Sequence, residues 1–294
     1  MKYKKAELKR FLSHVRPKAI LSLARTQDFD LESALESVIQ DLESEDTIAL
    51  YMVGKTSIGQ PFDTLYMLDP EQRTRLLECK ARQKPDDGLL VIFTGGTTGV
   101  PKSAMLSKEN VTAMAEAEAR ILANSMKGIG IKGRIKSLAY LPPSHVGGSV
   151  EMICSAITAG NEIIIHDTWS PKRFLETIEK ESIPWIGGVP TMYAIILLLP
   201  ELDSYDLSSL KLAILSGEKV KLDLLNQIKS RICPNIMIGY GSTEAGSEIS
   251  FTRLDDPLEK IASGTDCRSR RQSSAGRRKR RSPGPGKAYH QFLF

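Results

Sequence analysis

The chain has 294 residues, 41% of them hydrophobic, which is enough to bury the core of one large domain or two small ones. Its longest apolar run, Ala194 to Leu199, is far too short for a membrane span, and the charged start Met1-Lys-Tyr-Lys-Lys lacks the apolar region of a signal peptide. The net charge of +5 comes from the end: residues 265–294 hold nine of the 40 Lys/Arg but one of the 35 Asp/Glu, so residues 1–264 carry 31 bases against 34 acids and give no electrostatic case for nucleic acid.

Four scattered cysteines (Cys79, Cys154, Cys233 and Cys267) show neither metal spacing nor a disulfide framework, the usage expected in a reducing cytoplasm. In chain order, Ala6 to Val15 predicts an amphipathic helix, with Leu8, Phe11, Leu12 and Val15 on one face. A strand from Lys18 to Leu23, a helix from Asp30 to Leu42 and a strand from Thr47 to Val53 follow. Residues 54–88 are polar and weakly periodic, and are expected to cross the surface as an irregular connection. Leu89 to Phe93 is a buried strand, and Ser107 caps a helix running to about Ala123, with Val111, Met114, Ala115 and Leu122 inward.

Strand and helix then alternate. Strands are expected at Ser137–Leu141, Glu162–His166, Pro184–Val189, Leu210–Leu215 and Ile236–Gly239. Helices are expected at Gly148–Ala159 with Gly160 as stop, at Ser170-Pro171 to Glu181 with serine as cap, at Thr191–Leu199, and at Lys221–Ile232. Such repeats predict an α/β fold with a largely parallel sheet flanked by helices. Ligands in these sheets bind at the carboxyl ends of the strands, in the turns that lead to helices.

The residues with chemical potential cluster at those turns. Thr94-Gly95-Gly96-Thr97-Thr98-Gly99 follows a strand and closes with Pro101-Lys102. Glycines let backbone N–H groups approach an anion, the hydroxyls add donors and the lysine a mobile charge, a set that suits a polyphosphate. It is not a Walker A loop, because Pro101 stands where the glycine before the lysine belongs. In Leu141-Pro-Pro-Ser-His145-Val-Gly-Gly148, His145 reads either as ligand-facing or as a satisfied histidine at a helix start, the plainer reading by itself. Ser216-Gly217-Glu218 is a small-residue turn on which a flat ring can lie, or a generic turn before a helix. Gly239-Tyr240-Gly241-Ser242-Thr243-Glu244-Ala245-Gly246 offers an aromatic face, a hydroxyl and a carboxylate, which together can stack a base, hold a phosphate oxygen and ligate Mg²⁺; the alternative is a Gly-rich turn with an exposed acid.

Taken together and in order, these motifs resemble the adenylate-forming (ANL) superfamily, which includes acyl-CoA synthetases, peptide-synthetase adenylation domains and luciferases. Thr94 to Lys102 is similar to its phosphate-loop signature, Pro142-Pro-Ser-His145 to its Pro-x-x-His segment, and Tyr240-Gly-Ser-Thr-Glu244 to its Tyr-Gly-x-Thr-Glu motif. Val189-Pro-Thr-Met-Tyr193 and Ser216-Gly-Glu look most like acyl-CoA synthetases of fatty or related acids. The resemblance implies a two-step ligase: a carboxylate attacks the α-phosphate of ATP to give an acyl-adenylate and pyrophosphate, and CoA then displaces AMP. It implies that Thr94, Thr97, Thr98 and Lys102, with the loop glycines, hold the β- and γ-phosphates. Thr243 would contact the α-phosphate, Glu244 would hold Mg²⁺, Tyr240 would pack on adenine against Ser216-Gly217-Glu218, and His145 would sit near the reacting carboxylate.

Several departures set the expected domain plan. After the last motif, neither an aspartate motif for the ribose nor a hinge and small C-terminal domain is expected in these 294 residues. From Thr265 to Gln291 there is no Val, Ile, Leu or Met, while Arg, Ser and Gly accumulate. The expectation is an incomplete N-terminal α/β portion and connecting loop at 1–88, an AMP-binding core at 89–252, a junction at 253–264, and a disordered basic tail at 265–294 read as a frameshift product. Two alternatives accompany the ligase reading: a non-catalytic remnant with weak nucleotide binding, and a polyanion-binding protein acting through Arg277-Arg-Lys-Arg-Arg281.

Overall fold

In the computed structural model the chain divides into two units, Met1–Gln83 and Lys84–Phe294. The structure describes residues 5–26, 29–41, 48–94 and 102–263. Among these no helix is long and apolar enough to cross a membrane.

The first unit contains α1 (Lys5–Val15), β1 (Ala19–Leu23), the short strands β2 (Arg25–Thr26) and β3 (Phe29–Asp30), α2 (Leu31–Gln40), β4 (Ala49–Val53), β5 (Gln60–Pro61) and α3 (Pro70–Arg82). Strands β1, β4 and β5 form one parallel sheet in that order. Asp30 caps α2 by accepting from the Ser33 N–H at 3.0 Å. The core of this unit is small: Ala24, Leu35 and Met52, with Leu12 and Ile20 packed against them.

The expectation of an irregular connection over 54–88 is corrected by α3. None of its side chains is buried, so it has no apolar stripe for periodicity to detect. What fixes it is its start. Asp69 accepts from the Gln72 N–H at 2.8 Å, the Gln72 side chain accepts from the Asp69 N–H at 3.1 Å, and Pro70 takes the first helical position.

The second unit opens with an antiparallel hairpin of β6 (Gly88–Thr94) and β7 (Lys102–Ser107), paired from Leu90↔Leu106 to Thr94↔Lys102. Lys102, expected to close a loop, therefore begins a strand. Helix α4 (Lys108–Gly128) follows, capped by Ser107, whose hydroxyl accepts from the Asn110 N–H at 3.1 Å; it runs five residues past its expected end. Parallel strands β8 (Lys136–Ala139) and β9 (Glu162–Ile165) flank a wide, π-type helical stretch, Gly147–Cys154, continuing into α5 (Ser155–Ala159), which Gly160 stops at φ 67°.

Next come α6 (Pro171–Glu181), β10 (Trp185–Gly188), α7 (Pro190–Leu197), β11 (Leu212–Leu215), α8 (Leu222–Arg231), β12 (Ile236–Ser242), β13 (Ser247–Phe251) and α9 (Leu258–Ser263). Ser170 precedes α6 in extended conformation, but its hydroxyl makes no capping bond. Strands β10, β11 and β12 are parallel, and β13 returns antiparallel on the edge. Tyr240, Gly241 and Ser242, expected in a turn, are thus the last residues of β12. Phe174, Leu175, Ile178, Tyr193, Leu212, Leu215, Leu225 and Ile228 are almost wholly buried in the layers around this sheet. A second cluster of Ile92, Leu106, Val111, Met114, Val146 and Val150 ties the hairpin and α4 to the helical stretch after His145.

Candidate functional site

Gly95, Gly96, Thr97, Thr98 and Gly99 lie outside the described residues, as do Pro101 and the tail from 264 onward. The two ends of the loop are described, and they are paired. Thr94 and Lys102 face each other across the hairpin mouth, and the Thr94 hydroxyl donates to the Lys102 carbonyl at 3.3 Å. Thr94 and Lys102 are therefore held in register with each other, and Lys102 is exposed. Strand β7 packs against the Thr243–Ala245 turn that follows β12, so Lys102's strand and the segment of Thr243 and Glu244 are neighbours. Inside this turn the Ser242 hydroxyl accepts from the Ala245 N–H at 3.2 Å, and Gly246 takes φ 93° to turn the chain into β13. Thr243 is half-buried and Glu244 exposed.

The neighbouring parallel strands bring the next pair of motifs together. Register Leu215↔Ile238 puts Ser216 one residue, and Tyr240 two residues, beyond the last matched pair of β11 and β12. The Ser216 N–H donates to the Gly188 carbonyl at 3.0 Å, which extends the ladder between β10 and β11. Gly217 then takes φ 86°, and Gly217 and Glu218 are exposed on the strand end next to that of Tyr240, a residue 63% exposed. An open aromatic face beside a turn of small residues is what a flat heterocycle needs. Gly241 serves the edge strand: a Cβ there would overlap the Ser247 carbonyl, so only glycine lets β13 come this close.

His145 is exposed at the start of the helical stretch. The Gly147 N–H donates to His145 Nδ1 at 3.0 Å, which leaves Nε2 to carry the ring proton. A Cβ on Gly147 would stand 3.2 Å from His145 Nδ1 and 3.5 Å from Glu151 Oε2, so the imidazole and this carboxylate border the same point.

Glu151 belongs to a group the sequence reading missed. Glu118 on α4 and Glu248 on β13 are only 8% and 7% exposed, and Glu151 completes the trio. Together they line a cavity of about 50 Å³, with Trp185, Ser216 and Phe251 among its other walls. The Ser247 hydroxyl donates to Glu151 Oε1 at 2.6 Å, and the Glu248 N–H donates to Glu118 Oε1 at 3.3 Å. The second oxygens, Glu118 Oε2 and Glu248 Oε2, are buried with no hydrogen-bond partner. Burial, and then the Glu151 charge, push the Glu118 carboxyl well above the ordinary range and that of Glu248 up to about 8. Burial raises Glu151 as well, opposed by the Ser247 hydroxyl and by His145. One signal was available: Glu118 falls on the inward stripe of α4, between Met114 and Leu122, where an acid is out of place.

A divalent cation fits the turn after β12 only in part. Among the described residues no group of three or more His, Cys, Asp or Glu could hold a metal ion. Glu244 supplies one exposed carboxylate. That donor set suits Mg²⁺, which binds through one or two carboxylates and completes its shell with phosphate oxygens and water.

A family model described as AMP-binding enzyme matches residues 1–277. The chain belongs to the AMP-binding enzyme family. The chain is 31% identical over 179 residues to a feruloyl-CoA synthase of an Amycolatopsis species, a match covering 60% of the chain and 35% of that protein. It is 30% identical over 175 residues to a long-chain-fatty-acid–CoA ligase of Bacillus subtilis (strain 168), covering 60% of the chain and 30% of the ligase. The chain thus spans about a third of the length of these curated relatives. Its fold matches the crystal structure of the anthranilate CoA ligase AuaEII in complex with anthranoyl-AMP at a TM-score of 0.69, with 20% identity, over 87% of this chain and 46% of that one. The resemblance to the adenylate-forming superfamily and the α/β architecture both stand on these matches.

Proposed function

We propose that this chain carries out the ATP-dependent activation of a carboxylic acid, forming an acyl-adenylate and pyrophosphate. The observation that supports this most is that the Thr243–Ala245 turn and the open ring of Tyr240 lie at the carboxyl end of β12, beside the end of β11, with strand β7, which begins at Lys102, packed against that turn, in a chain of the AMP-binding family. One oxygen of the acid attacks the α-phosphorus of ATP, and the bond to the β-phosphate bridging oxygen breaks as pyrophosphate leaves. Lys102 and the threonines of the loop, Thr94, Thr97 and Thr98, stabilise negative charge on the departing group without reacting themselves. Thr243 donates to the α-phosphate, and adenine lies between Tyr240 and the Ser216-Gly217-Glu218 backbone. His145, with its proton on Nε2, steadies the incoming carboxylate. Mg²⁺ held by Glu244 neutralises phosphate charge when bound. CoA is the acceptor proposed for the acyl group in the following step of the whole enzyme, and fatty or related acids are the substrate class that the motifs suggest.

The test is ATP–pyrophosphate exchange with a panel of carboxylic acids. Acid-dependent exchange is expected, and Lys102→Ala should lower it by about a hundredfold or more, the size of losing one preorganised donor to a transition-state anion. Folded protein that binds ATP yet exchanges with no acid would instead favour a non-catalytic nucleotide binder.

A further inference from the structure

The trio Glu118, Glu151 and Glu248 carries none of the roles proposed above for ATP, and Glu151 borders His145. We infer that the cavity bounded by these carboxylates receives a protonated amine carried at the far end of the acid substrate. This rests on the reading that a carboxylic acid enters at the strand ends beside His145, and it names the class of that acid.

Three observations point to a cationic organic group. Glu118 and Glu248 are more than nine-tenths buried, and each keeps one oxygen with no partner inside the protein. A buried carboxyl group without a partner keeps its proton, and an ammonium brought beside it by a ligand lets it ionise and supplies the missing donor. A bare metal ion is a poor match, since no group of three carboxylates among the described residues has metal-holding geometry. An alkyl chain is also a poor match, because it brings no donor to these oxygens. The walls complete the case: Trp185 and Phe251 offer apolar surface for the body of a small acid, and Trp185 is an indole, the ring type that attracts cations most strongly.

Position supports the same occupant. Glu151 borders His145 on one side and accepts from Ser247 on the other, while Ser247 leads directly into Glu248. A Cβ at Gly239 would stand 2.7 Å from Glu248 Oε2, so this oxygen lies over the β12 backbone, next to the strand end that carries Tyr240. An acid with its carboxylate at His145 would present its other end to the trio. With a cavity of about 50 Å³ at that end, the amine must be compact.

The experiment is equilibrium binding of matched acids to the full chain by ligand-detected NMR, without ATP. The pairs are 4-aminobutanoate against pentanoate and 4-(aminomethyl)benzoate against 4-ethylbenzoate, in which an ammonium replaces a methyl of nearly equal size. The amine of each pair should bind about tenfold tighter or more, and Glu118→Gln with Glu248→Gln should bring the ratio to within about twofold. If those variants do not fold, the wild-type ratio alone decides. Equal or tighter binding of the hydrocarbon acids overturns the inference, and so does binding of no member of either pair. Amine preference without pyrophosphate exchange would sink the activation reading and leave the amine site standing. Exchange that prefers pentanoate would do the reverse.

Discussion

At the scale of single residues, the buried carboxylates make a prediction that does not depend on any ligand. Glu248 keeps its proton in the folded chain up to about pH 8, while in the unfolded chain it releases it near the ordinary value of 4.5. Between those values the folded state binds more protons, so stability falls as pH rises; the contribution is fully present below about 4.5 and gone above about 8. Glu118 from α4 and Glu151 from the helical stretch face the same space and are shifted in the same direction, with His145 beside Glu151 and Cys154 near Glu118. The free energy of urea unfolding should therefore drop between pH 5 and pH 8.5, by an amount on the order of a few kcal/mol, with a lower midpoint. Glu248→Gln, neutral throughout, should show a flatter dependence. Identical pH curves for the two proteins would mean that Glu248 does not hold its proton as described. This chemistry was only half legible in the sequence. Glu118 could be placed on an apolar stripe by counting, but β13 was not anticipated, and without it nothing sets Glu248 against Glu118.

At the scale of elements, the strands and helices with strong periodicity were readable to within a few residues, because a buried face imposes its spacing on the sequence. What escaped were elements held by other means. Helix α3 buries no side chain and rests on the Asp69–Gln72 cap. Strand β7 was hidden by Pro101-Lys102, which read as the end of a loop, and its burial is confined largely to Leu106. The end of β12 was hidden by its glycines, which usually announce a turn but here allow β13 to approach. Helix α4 joins both kinds of signal, an inward stripe and a reciprocal cap between Ser107 and Asn110. Ser107→Ala removes the hydroxyl that accepts from the Asn110 N–H and should cost about 1 kcal/mol in urea unfolding, with Ser107→Asp recovering most of it. Since α4 carries Glu118 and lies against the hairpin that bears Lys102, the loss should also lower amine binding. An unchanged midpoint would show that tertiary packing alone holds the first turn.

At the scale of the whole molecule, the two units differ in how firmly their parts are held. The second unit spreads its burial over a four-stranded sheet with helices of strong apolar stripes, such as Phe174, Leu175 and Ile178 on α6, each essentially inaccessible. The first unit buries few apolar side chains beyond Ala24, Leu35, Val38 and Met52, and its last helix, α3, has only exposed side chains, Leu76 and Leu77 among them at 57% and 59%. A helix with no buried face opens locally at small cost, since no apolar contact is lost when it frays. Limited digestion with a glutamate-specific protease should therefore cut α3 after Glu71 or Glu78 well before it cuts after Glu109 or Glu116 in α4, or after Glu176 or Glu179 in α6. The choice of protease matters, because residues 265–294 contain no glutamate and so cannot obscure the order of cuts. Mass spectrometry of the early fragments reads that order directly. Cuts in α4 or α6 that precede those in α3 would mean that the second unit opens more easily than its burial implies, and the strand ends that carry Tyr240 and Ser216 would lose the rigid support on which the proposed chemistry depends.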